Sequence, residues 1–167
     1  MIRSKTAVAL LSLAICASAG AQMRRAPGQA AAGVPVEIAL QVGATKYAAT
    51  GQGQCRFSGQ GSIYGVQASQ VSVSHSTGNQ SLQLTLWQPK NGGADMLALH
   101  VSMGDKRYEV DTVKAGAKRD TKGSGQAKMQ KSGDGATFTI DAVAQGGGKI
   151  SGTVKCGGFT PIHAEGG

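Results

Sequence analysis

Apolar and polar residues alternate along much of the chain, which is the pattern of β-strands that bury one face. The first clear case begins at Val34, where every second residue up to Val42 is Val, Ile or Leu. Further runs of this kind occupy residues 47–57, 71–75, 82–86, 97–103, 107–110, 126–130, 138–144 and 150–156. The spacing predicts about eight short strands.

Turn-forming residues separate these runs. Gly104-Asp105 predicts a two-residue hairpin turn, and the stretches 76–79, 89–93 and 132–135 are rich in Gly, Asn, Asp and Ser. No convincing amphipathic helix occurs, and only residues 58–65 leave room for a single helical turn. The fold class that we expect is therefore all-β, as an antiparallel β-sandwich or a small β-barrel.

The composition agrees with β-structure that contains many turns. The chain has 26 Gly among 167 residues, and charged residues make up only 16%. The glycines have no three-residue period, which excludes a collagen-like chain. The hydrophobic share of 40% is too high, and the charge too low, for an ordinary disordered protein.

The first 21 residues have the organisation of a secretory signal peptide. Arg3 and Lys5 precede an apolar run over residues 7–17, and Ala19-Gly20-Ala21 supplies an A-x-A cleavage site. The apolar run is shorter than the ~20 residues that a membrane-spanning helix needs. We therefore expect a periplasmic or secreted protein that does not span the membrane.

Cys16 leaves a second interpretation of this segment open. Residues 13–16 resemble the lipobox of bacterial lipoproteins, but Ile15 stands where the lipobox has a small residue. Cleavage at the later A-x-A site removes Cys16, and this is the outcome we expect. Beyond the cut, residues 22–33 show no periodicity and predict a flexible leader, which is followed by a single β domain over residues 34–167.

The mature chain keeps two cysteines, Cys55 and Cys156. An even number of cysteines in an exported protein favours a disulfide bond. Two free thiols or a metal-binding pair are the alternatives, but neither Cys has another Cys or a His at ligand spacing. Each Cys also shares the parity of the apolar residues around it, so both are expected to point inward.

Positive charge is concentrated between residues 106 and 131. The formal net charge is +8, and removal of Arg3 and Lys5 with the signal peptide leaves +6. The segment holds eight cations against three acids, a net charge of +5, and the cations are Lys106, Arg107, Lys114, Lys118, Arg119, Lys122, Lys128 and Lys131. They predict contact with a polyanion such as an anionic glycan or lipopolysaccharide, or else a solvated face that keeps the chain soluble.

Sequence-specific recognition of nucleic acid is not expected from this segment. Recognition of single strands depends on aromatic side chains that stack on bases, and Tyr108 is the only aromatic residue between the cations.

Trp87, the only Trp, has the opposite parity to Leu82, Leu84 and Leu86 and is expected on the outer face of its strand. An exposed Trp next to Pro89 would anchor a partner protein or a sugar. Packing against a second apolar cluster is the alternative, and it is the one we favour.

No catalytic or cofactor-binding motif stands out. The serines near glycines do not form a G-x-S-x-G elbow, and the glycine pairs lack the spacing of a nucleotide-binding loop. His75, His100 and His163 lie far apart, so a metal or hydrolytic site would need the fold to bring them together with a carboxylate. We expect no cofactor, no metal and no enzymatic activity.

Four short motifs carry a resemblance to known proteins: Gly51-x-Gly53-x-Cys55, Ile63-Tyr64-Gly65, Gly123-Ser124-Gly125 and Ile150-x-Gly152-x-Val154-x-Cys156-x-x-Phe159. Through them, residues 51–158 resemble a group of small, uncharacterised exported proteins of Gram-negative bacteria. The resemblance implies a Cys55–Cys156 bridge and a periplasmic setting, and it implies no reaction.

These observations predict an exported envelope protein of binding or structural type, whose basic segment contacts anionic envelope polymers. The alternative is a protein-binding module, such as an inhibitor or an assembly factor, that acts through an exposed strand edge or Trp87.

Overall fold

The computed structural model describes residues 33–114 and 120–162, and strands and turns account for the regular structure of these residues. The strands are β1 (Val34–Val42), β2 (Thr45–Ile63), β3 (Val66–Thr77), β4 (Gln80–Pro89), β5 (Met96–Met103), β6 (Lys106–Asp111), β7 (Ser124–Ser132), β8 (Gly135–Val143), β9 (Lys149–Cys156) and β10 (Thr160–Pro161). Residues 58–65, where the sequence left room for a helical turn, form the end of β2 and the turn that follows it.

Nine of the strands form one antiparallel sheet that curves into a nearly closed barrel. Their order in the sheet is β6-β5-β4-β3-β2-β1-β9-β8-β7. The tenth strand, β10, lies off this path and pairs in parallel with β2 at Arg56 and Phe57. The prediction of an all-β antiparallel fold is confirmed, with a barrel-like sheet and somewhat more strands than expected.

Two-residue turns join five pairs of consecutive strands, and glycine allows most of them. Gly104, in the turn predicted from the sequence, has a φ of 61° at the first central position, as a type II′ turn requires. The same conformation recurs in the turns that begin with Gly43, Gly78 and Gly133. In the remaining turn both Tyr64 and Gly65 have positive φ, as in type I′. Much of the glycine excess therefore serves tight hairpins.

Strict alternation along the strands fills the barrel with aliphatic side chains. In β1 the residues at positions 36, 38, 40 and 42 are buried, and those between them are exposed or half-buried. Across β3 to β6, Val73, Leu84, Leu99 and Val110 lie in one register row, and each is at most 1% exposed. The inward parity predicted from the sequence is thus confirmed in these strands.

Cys55 of β2 and Cys156 of β9 form the expected disulfide bond, with their Cα atoms 6.2 Å apart. Both side chains are buried. The two strands are not neighbours, because β1 lies between them in the sheet. The bond therefore ties together parts of the barrel that no backbone hydrogen bond connects directly.

One polar contact lies within the aliphatic core. The Tyr47 hydroxyl is 3.3 Å from Nδ1 of His75, and both side chains are buried. Burial raises the pKa of the Tyr47 phenol, because its anionic form would lose hydration. His75 has the same parity as Val71 and Val73 along β3 and is buried with them.

Replacement of both bridged cysteines, C55A/C156A, is expected to lower the free energy of unfolding by about 3–5 kcal/mol, since the bond closes a loop of about a hundred residues in the unfolded chain. Urea unfolding followed by Trp87 fluorescence measures the loss. Addition of a reductant to the wild type should have a similar effect, and no further effect on the variant. A variant as stable as the oxidised wild type would contradict the expectation.

The stability should also decrease at alkaline pH because of Tyr47. The folded chain holds the phenolic proton more tightly, so this contribution is complete below the ordinary tyrosine pKa of about 10 and is lost as pH rises through the raised folded value. Tyr47→Phe should flatten this alkaline decrease, and should cost about 1 kcal/mol at neutral pH through the lost hydrogen bond. Tyr64→Phe is the matched control, because Tyr64 is 56% exposed. Equal alkaline losses in Tyr47→Phe and wild type would contradict this assignment.

Candidate functional site

The barrel is incompletely closed at the seam, which is the junction between β6 and β7. Neighbours along the nine-strand path are antiparallel, so strand direction alternates and the first and last strands of the path run the same way. An antiparallel ladder therefore cannot join β6 to β7. In the described chain an isolated bridge joins Asp111 of β6 to Lys122, just before β7 begins, and a hydrogen bond of 2.8 Å from Gln145 N to Glu109 O joins β6 to the loop between β8 and β9.

The seam leaves one edge of β7 open. β7 pairs with β8 through a two-residue hairpin, whose closing pair is Ser132 and Gly135. Because hydrogen-bonding direction alternates from that closing pair, every second residue of β7 turns its N–H and C=O away from β8. These four residues are Gly125, Ala127, Met129 and Lys131. Within residues 33–114 and 120–162 no backbone partner meets them, but the edge is exposed only at Gly125 and Lys131, since Met129 is half-buried and Ala127 is 2% exposed.

Sequence reasoning placed a strand here but did not identify this open edge. Its one sequence signal was the presence of Lys128 and Lys131 in a short polar strand, since charged residues often occupy edge strands.

Two of the predicted basic residues are engaged by other side chains. Lys122 Nζ lies 2.9 and 3.0 Å from the two carboxylate oxygens of Glu109. Lys131 Nζ lies 4.8 Å from the centre of the Phe57 ring, a cation–π contact. The ammonium groups of both lysines therefore already contact other side chains of the fold.

Four of the predicted basic residues are exposed and form no ion pair with another described residue: Lys106, Arg107, Lys114 and Lys128. Lys118 and Arg119 lie outside the described residues. The exposed cations thus occur at the start of β6, after β6 and on β7.

A surface groove of about 510 Å³ opens near the start of β7. Met96 and Val66 supply apolar lining, and Lys114 and Asp95 supply charged groups. Asp95 also accepts a hydrogen bond from Gln88 Nε2 at 3.2 Å. The groove therefore combines apolar and charged walls next to the open edge.

Trp87 lies half-buried on the outer face of β4, opposite to the face of Leu86. It is in register with Met96 of β5 and packs against the small cluster formed by Met96 and Val113. The Trp87 side chain is thus packed, which is the alternative that we favoured. A role of Trp87 as an anchor for a partner stays a prediction.

The histidines of the described chain do not converge. His75 points into the core, whereas His100 is on the outer face with 51% of its side chain exposed and its Nδ1 4.0 Å from Glu109 Oε1. His163 lies outside the described residues. Residues 33–114 and 120–162 hold no group of three His, Cys, Asp or Glu side chains placed to bind a metal ion.

The segments that carry the predicted signal peptide, Cys16 and most of the leader lie outside the described residues. In the part of the chain that the structure describes, no helix has the length and hydropathy of a membrane span. The resemblance to small exported proteins rests on the sequence motifs alone. No family model, no curated protein and no solved structure matches this chain.

Proposed function

We propose that the protein is an exported, non-enzymatic binding protein of the cell envelope that contacts anionic polymers through the exposed cations of β6 and β7 and through Lys114 between them. The observation that supports it most directly is the environment of Lys106, Arg107, Lys114 and Lys128, which are exposed and have no acidic partner among the described residues. Solvated cations of this kind release bound counterions when they meet a polyanion, which gives binding that depends on salt.

Basic residues on another part of the barrel differ in this respect. Lys155 of β9 is 3.1 Å from Glu37, and Lys149 is 3.8 Å from Asp141. The acids beside these two lysines lower the local positive potential. The four exposed cations have no such acidic partner among the described residues, so the potential around them is not lowered in this way. An anionic glycan or lipopolysaccharide is therefore expected to contact these four cations.

The proposal predicts that K106A/R107A/K114A/K128A weakens binding to heparin and to lipopolysaccharide by about tenfold or more, and makes the remaining binding less sensitive to salt. The matched control is K46A/K90A/K149A/K155A, which removes the same amount of charge elsewhere. Isothermal titration over a series of salt concentrations measures both. Absent or salt-independent binding by the wild type would overturn the proposal, and equal losses in the two variants would show that net charge alone decides.

The open edge of β7 favours a second candidate function, a protein-binding module such as an inhibitor or an assembly factor. Unpaired N–H and C=O groups along a strand edge accept a further strand from a partner. Trp87 is the other contact in this hypothesis, although its ring already packs against Met96.

A further inference from the structure

We infer that the outer face of β2, β3 and β4 binds a neutral, extended polysaccharide in a groove lined by uncharged polar side chains. The inference is independent of the polyanion proposal, because the groove and the exposed cations are formed by different residues. Three observations carry it: the lack of charge in this part of the chain, the free hydrogen-bonding groups of the groove, and the position of Trp87.

The groove has a volume of about 510 Å³ and crosses three neighbouring strands of the sheet. Its Gln and Ser residues alternate along the strands with buried residues such as Val73 and Leu84, so they lie on the outer face. The register places Gln54 of β2, Ser74 of β3 and Gln83 of β4 side by side in one row. We call the Gln and Ser residues of the groove the Gln/Ser face, which consists of Gln52, Gln54, Ser74, Ser76, Ser81 and Gln83.

The Gln/Ser face differs from the rest of the barrel in its lack of charge. The sequence has no Asp, Glu, Lys or Arg between Arg56 and Lys90, a stretch that includes all of β3 and β4. Other strands carry exposed charges on their outer faces, for example Glu37 of β1, Asp141 of β8 and Lys155 of β9. No Asp, Glu, Lys or Arg of the described chain lines the groove, so charge attracts neither a polyanion nor a polycation into it.

The side chains of the Gln/Ser face keep their hydrogen-bonding groups available. Among the described residues, none forms a hydrogen bond with any of these side chains. A Gln amide and a Ser hydroxyl each both donate and accept hydrogen bonds. Sugar hydroxyl groups have the same double capacity, so a neutral polysaccharide that crosses the strands can exchange hydrogen bonds with successive side chains of the face.

The composition of the face also argues against a partner protein as its occupant. The buried centre of a protein–protein interface is enriched in aromatic and apolar residues, and the Gln/Ser face has neither kind. Trp87 lies on the same outer face of β4, about 13 Å along the strand from Gln83. Its ring is half-buried, and the exposed part gives one end of a bound sugar chain an apolar surface to contact.

The test uses the mature wild-type protein and four neutral hexasaccharides: maltohexaose, cellohexaose, laminarihexaose and chitohexaose. We expect at least one of them to bind, with an affinity that does not change with salt concentration because no charges attract it. The bound sugar should shift backbone amide signals of β2, β3 and β4. Binding of none of the four, shifts confined to other strands, or salt-dependent binding would each overturn the inference.

Removal of the central row of the face should weaken this binding. Q54A/S74A/Q83A should lower the affinity by about tenfold or more, because three side chains that exchange hydrogen bonds with the sugar are lost. A matched control removes the same residue types from the outer faces of β7 and β9 and should bind as the wild type does: Q126A/Q130A/S151A. Equal losses in the two variants would contradict the assignment.

A conservative variant tests the same row if the triple variant does not fold. Gln83→Glu keeps the shape of the side chain but replaces the NH₂ donor by an acceptor, and should lower the affinity several-fold. Gln130→Glu on β7 makes the same change outside the groove and should have no effect. An unchanged affinity of Gln83→Glu would contradict a contact at this position.

Further outcomes separate this inference from the polyanion proposal. K106A/R107A/K114A/K128A should bind the hexasaccharide as the wild type does, and Q54A/S74A/Q83A should bind heparin as the wild type does. Absent heparin binding with retained hexasaccharide binding would remove only the polyanion proposal. A wild-type dimer in sedimentation that Q54A/S74A/Q83A dissociates would show that a second copy covers the face, and would overturn the inference.

Discussion

Strand direction along the nine-strand path constrains the rest of this structure. Each hairpin reverses the chain, and an antiparallel path with an odd number of strands leaves its first and last strands, β6 and β7, running the same way. Closure of the barrel then depends on a few contacts of β6: the Asp111–Lys122 bridge, the Gln145–Glu109 hydrogen bond and the ion pair between Lys122 and Glu109. The unpaired edge of β7 and the groove near the start of β7 lie next to this incomplete closure.

Local features of the fold could be predicted from the sequence, because they depend on residues that are close to one another along the chain. The Gly104-Asp105 turn joins β5 and β6 as predicted, since Gly relieves the strain of a positive φ. The period of two placed Trp87 opposite to the leucines of β4, where the structure also has it. It also turned both cysteines toward the interior, where they form a bond.

The arrangement at the seam depends on contacts between distant parts of the chain, which alternation does not encode. The pairing of β1 with β9 and the parallel addition of β10 to β2 have no signal in the hydrophobic pattern. The basic segment shows the consequence. Its residues are close in sequence, yet closure of the barrel pairs Lys122 with Glu109, and the curvature of the sheet places Lys131 over Phe57. Counting charges identified the segment, but only the fold distinguishes its engaged cations from its free ones.

An unpaired strand edge is a hazard for a folded protein, because it invites pairing with another extended chain. On β7 burial limits that hazard, since Ala127 is 2% exposed and Met129 is half-buried. The two lysines of the strand differ in the same way. Lys131 lies over the Phe57 ring, whereas Lys128 is exposed and has no ion pair with a described residue. Lys128 is therefore the lysine of β7 whose charge stays available to an external anion.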